Sequence, residues 1–373
     1  MKIFVNIARV LVGALFIFSG LVKAIDPLGV AYKMQEFFEA WAADGYLKGL
    51  MMWLHDHALL FSVTMISVEV ILGISLLLGI WEKLTAWFLL ILMLFFTFLT
   101  SYVLFSGKIR ACGCFGDCIP LTPVQTFTKD IILLLLVLLI LFQRKHIQPL
   151  LPKQISLPIL LISIVGIVFL QWYVLKHLPL KDCLPYKVGN DIYKLRQMPA
   201  DAIQDKYAYT FIYEKDGVKK EFTTDLPDST WKYVDRKQKL VQKGKNNMPL
   251  INDFTFTTES GNDTTEAILG EEREYYLLFI KTLDDYPTNW DKDVQLINAI
   301  VKTKKPIYIV TAQPDKVKEK FAGKIASGLP AIFTCDVTAI KTAARANPAV
   351  FLMNGPIVKH KWSWADFSDI IKQ

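Results

Sequence analysis

The sequence predicts an all-α membrane bundle of about five transmembrane helices, joined to a soluble α/β domain. Apolar runs dominate before about residue 178, whereas Lys, Asp, Glu and Thr become frequent after it. The mean hydropathy of +0.32 is high for a soluble protein. We therefore predict a transmembrane bundle over 1–177, a linker and β-hairpin region over 178–249, and an α/β domain over 250–373.

Five segments have the length and composition to cross a bilayer. A helix needs about 20 mostly apolar residues to cross roughly 30 Å of hydrocarbon. The fourth segment crosses only if its helix begins near Pro123, because Lys129 and Asp130 lie near its start. The first is expected to be a retained anchor, because its apolar run exceeds a signal-peptide core and no A-x-A-like site follows. The predicted spans are Ile3–Leu21, Ala58–Ile80, Leu84–Phe105, one centred on Ile131–Phe142, and Ile155–Leu175.

Basic residues in the short connections predict the orientation of the bundle. Cytoplasmic connections carry an excess of Lys and Arg, and the link after the fourth span contains Arg144, Lys145 and Lys153. This link is predicted to be cytoplasmic, which places everything after Leu175 on the outer side. The net charge of +7 is scattered or lies where a membrane protein needs it, so the lipid bilayer is the expected partner and nucleic acid is not.

A second helical pattern lies between the first two spans. Its apolar positions recur at i, i+4, i+7, i+8 and i+11, which is one face of a helix. Two placements are open, either in the outer membrane interface or packed over the ends of the bundle. The apolar positions are Val30, Met34, Phe37, Phe38 and Trp41.

The region after Pro179 begins with β-strand patterns. Aromatic residues alternate over 207–213, a turn follows at Asp216-Gly217, and Val218–Thr224 is predicted as the return strand. The basic segment Trp231–Lys245 is predicted to be a helix with a solvated face.

From about Leu250 strands and helices alternate, in the order of the thioredoxin fold: a β-α-β unit, a β-hairpin and a helix. That fold commonly places a cis-proline beside its active site, so a cis bond is predicted at Asn347–Pro348. Its C-x-x-C pair would follow the first core strand, but Thr282–Trp290 contains no cysteine, so thiol exchange is not expected there. The predicted strands are Asp253–Thr257, Tyr275–Lys281, Ile307–Thr311, Ala331–Thr334, Pro348–Met353 and Ile357–Trp362, and the helices Asn289–Val301, Asp315–Phe321 and Thr338–Arg345.

Three of the five cysteines, Cys112, Cys114 and Cys118, lie within seven residues in a predicted outer loop. Outside the cytoplasm disulfides persist. Two thiols separated by one glycine close only a small, strained ring, and strain raises the reduction potential. Cys118 is placed to resolve a mixed disulfide, and Lys108 and Arg110 would favour the thiolate. This pattern indicates redox exchange.

Two other roles stay open for these cysteines. One is a structural disulfide that ties the ends of spans three and four. The other is a zinc site formed with Cys183, although the C-x-C-x3-C spacing is unlike common zinc patterns, and no metal is the expectation. Cys183 should lie at the same depth as the loop, so we expect at least one disulfide among the four. Cys335 is expected to be remote and to pack as a small apolar residue.

Two charged residues lie inside predicted spans, Arg9 in the first and Glu69 in the second. A charge at this depth is costly, so pairing or a functional role is expected. A buried Arg9–Glu69 ion pair explains both residues. The alternative is that they form the polar end of a quinone or substrate cavity.

These residues carry a resemblance to two related families. The first helix resembles that of DoxX-family proteins, and Glu69 and Gly73 fit as well. The cysteine loop resembles the MauE family, and the resemblance covers about residues 3–145. The matching positions are Arg9, Gly13, Phe18-Ser19-Gly20, Lys23 and Asp26-Pro27 for the former, and Cys112–Asp117, Pro120-Leu121-Thr122 and Lys129-Asp130 for the latter.

The MauE resemblance implies a role in disulfide formation in a periplasmic enzyme, alongside a thioredoxin-like partner. DoxX relatives include a subunit of a quinone-linked oxidoreductase, and the C-terminal half resembles the extension of a DoxX-like subfamily from Gram-negative bacteria. The resemblance thus implies an inner-membrane thiol–disulfide oxidoreductase with a periplasmic C-terminal domain. Cys112 and Cys114 would form the working pair, Cys118 or Cys183 would pass electrons to it, and a quinone would accept them. The alternative is a non-enzymatic scaffold that binds a client or envelope protein, which the missing C-x-x-C favours.

Overall fold

The computed structural model describes residues 2–109, 112–242, 244–283, 290–325 and 328–371. Five helices among them are long and apolar enough to cross a membrane, which confirms the predicted number. The helix of the fourth span begins at Pro123, as crossing requires, and Thr122 caps it by exchanging hydrogen bonds with Gln125. The helices of this half are α1 (Lys2–Ala24), α2 (Pro27–Ala43), α3 (Lys48–Asp56), α4 (Ala58–Leu78), α5 (Glu82–Ser106), α6 (Pro123–Phe142) and α7 (Lys153–Lys176).

Small residues allow α1 and α4 to pack closely. A Cβ atom at Gly73 would lie 2.8 Å from the carbonyl oxygen of Gly13, and one at Gly20 would lie 2.4 Å from a methyl group of Val70. Membrane helices gain little from excluding lipid, so their association depends on such close backbone approach. These glycines therefore set the separation of the two helices.

Helix α2 packs its apolar face against the bundle. Asp26 caps the helix by accepting a hydrogen bond from the backbone N–H of Gly29 at 3.0 Å. Val30 and Met34 are buried in one cluster with residues of α4 and α7. The helix thus covers the ends of the spanning helices, as the second of the two predicted placements required.

An antiparallel three-stranded sheet, of order β2-β1-β3, follows the bundle. The prediction of a helix over Trp231–Lys245 is wrong, because β3 pairs with β1 along its length, with Tyr209 opposite Gln238. The aromatic residues of β1 give β3 a surface to pack on, and this pairing overrides the helix propensity of its Lys and Gln residues. The strands are β1 (Lys206–Lys215), β2 (Val218–Phe222) and β3 (Lys232–Gln242).

The C-terminal region is built on a mixed five-stranded sheet of order β6-β5-β4-β7-β8. Strands β4, β5 and β6 are parallel, whereas β7 and β8 are antiparallel to their neighbours. The strands are β4 (Glu274–Ile280), β5 (Ile307–Thr311), β6 (Ile332–Thr334), β7 (Ala349–Asn354) and β8 (Ile357–Ser363). The helices are α8 (Ile192–Leu195), α9 (Thr265–Leu269), α10 (Trp290–Lys302), α11 (Pro314–Phe321), α12 (Val337–Ala343) and α13 (Phe367–Ile371).

Two details of this region bear on the predictions. The bond between Asn347 and Pro348 is cis, as predicted. The predicted strand Asp253–Thr257 is wrong, since in it only Thr257 forms isolated bridges, to Asp263 and Thr334. Its apolar residues instead pack as core, and Phe254 and Phe256 are fully buried. The start of the predicted helix at Asn289 lies outside the described residues.

Polar contacts join the C-terminal region to the bundle at two places. At α2, the ammonium group of Lys281 donates to the hydroxyl of Tyr32 at 2.8 Å. At the end of α7, the hydroxyl of Ser363 donates to the carbonyl of Lys176 at 2.6 Å, and His177 lies 2.6 Å from Asp366. These contacts hold the C-terminal region against α2 and the end of α7.

Candidate functional site

The cysteine loop connects α5 to α6 and turns at two glycines. Gly113 and Gly116 have φ values of +72° and +58°, a backbone region that side chains disfavour. The N–H of Gly116 donates to the carbonyl of Gly113 at 2.9 Å, which closes the turn. The hydroxyl of Ser19 in α1 donates to the carbonyl of Cys114 at 3.1 Å. The loop is thus fixed to the C-terminal part of α1, with Gly113 between its first two cysteines.

Cys118 and Cys183 form a disulfide with their Cα atoms 5.0 Å apart. The expectation of at least one bond among the four cysteines is therefore confirmed. The bond joins the α5–α6 loop to the segment after α7, so it does not tie spans three and four to each other. It also occupies two sulfurs of the alternative zinc site. Within the described parts of the chain, no group of three or more His, Cys, Asp or Glu residues is arranged to hold a metal ion.

Cys112 and Cys114 are free thiols that hydrogen-bond to each other. The hydrogen bond from Cys112 is the main cause that lowers the pKa of Cys114. The same hydrogen bond, together with burial, raises the pKa of Cys112 well above its ordinary value. Cys114 is thus the more readily ionised thiol of the two.

Two lysines of the bundle supply the positive charge near these thiols. The charges of Lys129 and Lys23 lower the pKa of Cys114, against the effects of burial and of Asp130. The predicted role of Lys108 is wrong, because Lys108 pairs with Asp44 at the surface. The predicted role of Arg110 falls on a residue outside the described part of the chain.

A buried polar cluster lies beneath the loop, between the spanning helices. The ammonium group of Lys23 lies 2.6 Å from the carboxylate of Glu69, and both side chains are almost fully buried. Lys129 lies 2.6 Å from the carboxylate of Asp130, which also accepts a hydrogen bond from the hydroxyl of Thr100 at 3.1 Å. Each charge in this cluster has a partner of opposite sign, as residues at this depth require.

The predicted Arg9–Glu69 ion pair is wrong. Arg9 donates instead to the carbonyl groups of Leu76, Leu77 and Gln148. The last carbonyls of a helix have no partner within it, and the helix dipole is negative there, so the guanidinium satisfies the end of α4. Arg9 is therefore a structural residue at the opposite end of the bundle from the cysteine loop.

A small cavity separates the loop from the polar cluster. Its volume is about 20 Å³, and its lining includes Cys114, Lys23, Glu69, Lys129 and Asp130. A cavity of this size holds about one water molecule. A water molecule in this cavity would lie between Cys114 and the buried charges and could carry a proton between them.

An aspartate precedes each disulfide cysteine, and each aspartate pairs with a buried cation of the C-terminal region. Arg345 lies 2.9 Å from Asp117, whose next residue is Cys118. Lys361 lies 2.7 Å from Asp182, whose next residue is Cys183. The side chains of Arg345 and Lys361 are only 7% and 6% exposed, so the cation of each pair is buried, whereas Asp117 and Asp182 are 40% and 23% exposed. The C-terminal region thus holds both ends of the disulfide.

Sequence reasoning missed the roles of several of these residues. Lys23, Lys129 and Asp130 were identified only as positions that match the DoxX and MauE families. No role was predicted for them, because sequence spacing alone does not show which helices face each other. Arg345 was predicted only as the end of a helix and Lys361 only as part of a strand, so neither residue carried a signal for a role at the site. Cys335 is buried in the core of the C-terminal region, and burial raises the pKa of its thiol to about 12.

The fold and site define an integral membrane protein with a cysteine-bearing loop held beneath a C-terminal region of mixed sheets. Residues 1–143 match the family model of methylamine utilisation protein MauE, which confirms the MauE resemblance over the bundle. Residues 207–243 match a domain of unknown function, DUF8463, which covers the three-stranded sheet.

One curated relative is Protein TlpB from Flavobacterium psychrophilum. It is 31% identical over 137 residues, which are 36% of this chain and 35% of the relative. The chain thus aligns with about a third of that relative's length. No solved structure matches the chain.

Proposed function

We propose that the protein is an inner-membrane thiol–disulfide oxidoreductase whose site is formed by Cys112, Cys114, Cys118 and Cys183. One observation carries the proposal: the short loop between α5 and α6 contains a pair of free thiols and one cysteine of a disulfide. A structural disulfide needs no second pair of thiols beside it. The lowered pKa of Cys114 supports a nucleophilic role for that thiol.

In the proposed exchange, the bonds, electrons and protons balance within the protein, with no outside oxidant or reductant. The thiolate of Cys114 attacks the sulfur of Cys118, which forms a Cys114–Cys118 bond and releases the thiolate of Cys183. Cys112, once deprotonated, then attacks the sulfur of Cys114 and releases the thiolate of Cys118. The Cys112–Cys114 pair is oxidised, the Cys118–Cys183 pair is reduced by the same two electrons, and two protons pass to the released thiolates. The reaction is reversible, and the relative potentials of the two pairs set its direction.

A quinone as the final acceptor rests on the DoxX resemblance. The cavities that Cys114 lines have volumes of about 20, 40 and 120 Å³, all below the range of ligand-binding sites, so the residues there do not fit a quinone. Arg9 is engaged with three carbonyl groups away from the loop. No step of the proposed exchange therefore passes through a quinone.

We also propose that residues 250–373 form a thioredoxin-like domain, with 178–249 as the linking region and 1–177 as the bundle. The order β4-α10-β5 followed by the β7–β8 hairpin and α13 supports this, as does the cis bond before β7. The basic link after α6 supports a periplasmic position for the domain, in a Gram-negative bacterium.

A scaffold that binds a client or envelope protein is the second candidate function. The absence of cysteine from the loop after β4 favours it. Against it, residues near the cis-proline already contact the bundle, since Arg345 pairs with Asp26 at 2.7 Å. The surface around Pro348 is thus partly occupied by this chain's own α1–α2 junction.

Thiol trapping on the native protein tests the proposal. Membranes are quenched in acid, free thiols are alkylated with one reagent and disulfide thiols, after reduction, with an isotopically distinct one. The proposal expects both the Cys112–Cys114 and the Cys118–Cys183 pairs to occur in oxidised and reduced forms as growth conditions change. A Cys118–Cys183 bond that stays fully oxidised while Cys112 and Cys114 stay fully reduced would favour the scaffold.

A further inference from the structure

A large groove runs between α2, α12 and the segment that carries Cys183. Its volume is about 530 Å³, which is in the range of ligand-binding sites. Its lining includes Tyr32 and Lys33 on one wall, Lys341 and Thr342 on another, and Cys183. Among the described residues, four other cavities that cysteines line have volumes of about 20 to 120 Å³, so the groove offers a ligand much more room beside a cysteine than they do.

The two cysteines of the disulfide differ in their relation to this groove. Cys183 lines it, whereas Cys118 does not. Both cysteines line a separate cavity of about 20 Å³ between the loop and the α1–α2 junction. Cys118 also shares its loop with Cys114, four residues before it. The disulfide thus has one sulfur-bearing residue at the groove and the other in the loop with the free thiols.

The character of the lining indicates an extended peptide as the occupant. The walls combine an aromatic ring, hydroxyl groups and side chains of both charges, such as Lys33 and Glu36. Donors and acceptors of this kind can hydrogen-bond a peptide backbone, and polar groups of both signs are typical of the rim of a protein interface. An apolar small molecule would require a drier site.

We propose that this groove binds a cysteine-bearing peptide segment of a client protein, and that Cys183 is the residue with which the client sulfur exchanges. The inference rests on the proposed function. It adds the class of substrate and identifies which cysteine of the disulfide reacts with it. A client thiolate attacks the sulfur of Cys183, which forms a client–Cys183 bond and breaks the Cys118–Cys183 bond. The electron pair of the broken bond leaves with Cys118 as its thiolate, in the loop with Cys112 and Cys114. In the reverse direction, the thiolate of Cys183 attacks a client disulfide in the groove.

The test uses the full-length protein in detergent micelles and two thiol probes. One probe is the peptide Gly-Ser-Ala-Cys-Ala-Ser-Gly, and the other is 2-mercaptoethanol. After rapid mixing and an acid quench, peptide mapping by mass spectrometry locates the mixed disulfides. The expected result is that the peptide is found on Cys183 in about tenfold excess over Cys118, because the attacked sulfur keeps the probe. Equal labelling, or an excess on Cys118, would overturn the assignment.

A groove variant separates binding from simple sulfur reactivity. Thr342→Arg places a large side chain in the groove, and Thr224→Arg makes the same change in the exposed segment after β2. The first variant should slow capture of the peptide about tenfold while capture of 2-mercaptoethanol stays within about twofold, since a small thiol needs less room. The second should change neither rate. If Thr342→Arg slowed the capture of both probes equally, or slowed neither, the groove would not be the binding site of the peptide.

The same spectra report on Cys112 and Cys114, which separates this inference from the proposed function. A second run uses the oxidised, disulfide-linked peptide, which supplies the oxidant. The Cys183 thiolate released by the internal exchange attacks the probe disulfide, keeps one peptide and releases the other as its thiolate. Labelling at Cys183 with Cys112 and Cys114 converted to a disulfide in this run therefore supports both. Labelling at Cys183 with those two thiols unchanged, even with excess oxidised probe, supports the groove and contradicts the internal exchange. Labelling on Cys118 with conversion of the thiols overturns the groove assignment and leaves the exchange standing.

Discussion

Arg345 of the C-terminal region donates a hydrogen bond to Asp117 of the cysteine loop at 2.9 Å. Asp117 directly precedes Cys118, and the same guanidinium donates to Asp26 at the start of α2. One buried side chain therefore joins the C-terminal region, the α1–α2 junction and the loop. Lys361 repeats this relationship at Asp182 and Cys183. The C-terminal region thus fixes the position of the disulfide although it contributes neither of its cysteines.

Replacing Arg345 by Met should therefore destabilise the protein and loosen the loop. Removing the buried guanidinium leaves Asp26 and Asp117 without it, but these carboxylates are 22% and 40% exposed, so the cost should be below the about 3–5 kcal/mol of a fully buried pair. We expect a lower thermal midpoint in detergent and faster amide exchange in the α5–α6 loop. Arg273→Met is the matched control, because Arg273 is exposed and pairs with Glu271 at the surface. An Arg345 variant as stable as this control would show that the contact does not hold the loop.

The alkylation of Cys114 should depend on pH with a midpoint below that of an ordinary thiol. Its pKa is lowered, first by the hydrogen bond from Cys112 and then by Lys129 and Lys23. The thiolate is the reactive form, so the rate should fall only as pH drops through this lowered pKa. Lys129→Met removes a positive charge and should move the midpoint upward. Lys108→Met should leave it unchanged, because Lys108 pairs with Asp44. An upward shift with Lys108→Met alone would contradict the assignment.

The Lys23–Glu69 pair should show strong coupling in a double-mutant cycle. Each charge is buried and compensates the other at 2.6 Å. Lys23→Met or Glu69→Gln should each cost about 3–5 kcal/mol, because the charge that is left is unpaired. The double variant should cost clearly less than the sum of the two, as expected for residues in contact. Additive losses in detergent unfolding would mean that the two residues act independently.

Gly113→Ala should destabilise the turn between the first two cysteines. The φ value of +72° costs a residue with a Cβ atom about 1–2 kcal/mol, and that atom would lie 3.3 Å from the side chain of Lys33. Gly166→Ala in α7 is the matched control, since a Cβ atom there meets nothing within 4 Å. The first variant should raise the alkylation rate of Cys112, which the loop half-buries, and the second should not. Equal rates in the two variants would argue against a constrained turn.

The bundle and the order of the C-terminal strands could be predicted because each depends on local periodicity. The five apolar helices and the β7–β8 hairpin follow from residues close in sequence. The partner of Glu69 could not be predicted in this way, since it depends on how α1 rotates against α4. The segment Trp231–Lys245 was predicted wrongly because its pairing with β1 is a long-range contact. Proximity of the cysteines followed from the topology, but which of them pair did not.

The central claim is that Cys114 and Cys118 exchange directly, and a double variant tests it most directly. Cys112→Ser with Cys183→Ser leaves these two thiols in the loop, and Cys335 buried in the C-terminal core serves as an internal control. After mild oxidation of the full-length protein in detergent, non-reducing peptide mapping measures the bonds formed. The account predicts a Cys114–Cys118 disulfide in most molecules, with Cys335 free. Two free thiols at Cys114 and Cys118 under conditions that fully oxidise the Cys118–Cys183 pair of the parent protein would contradict it.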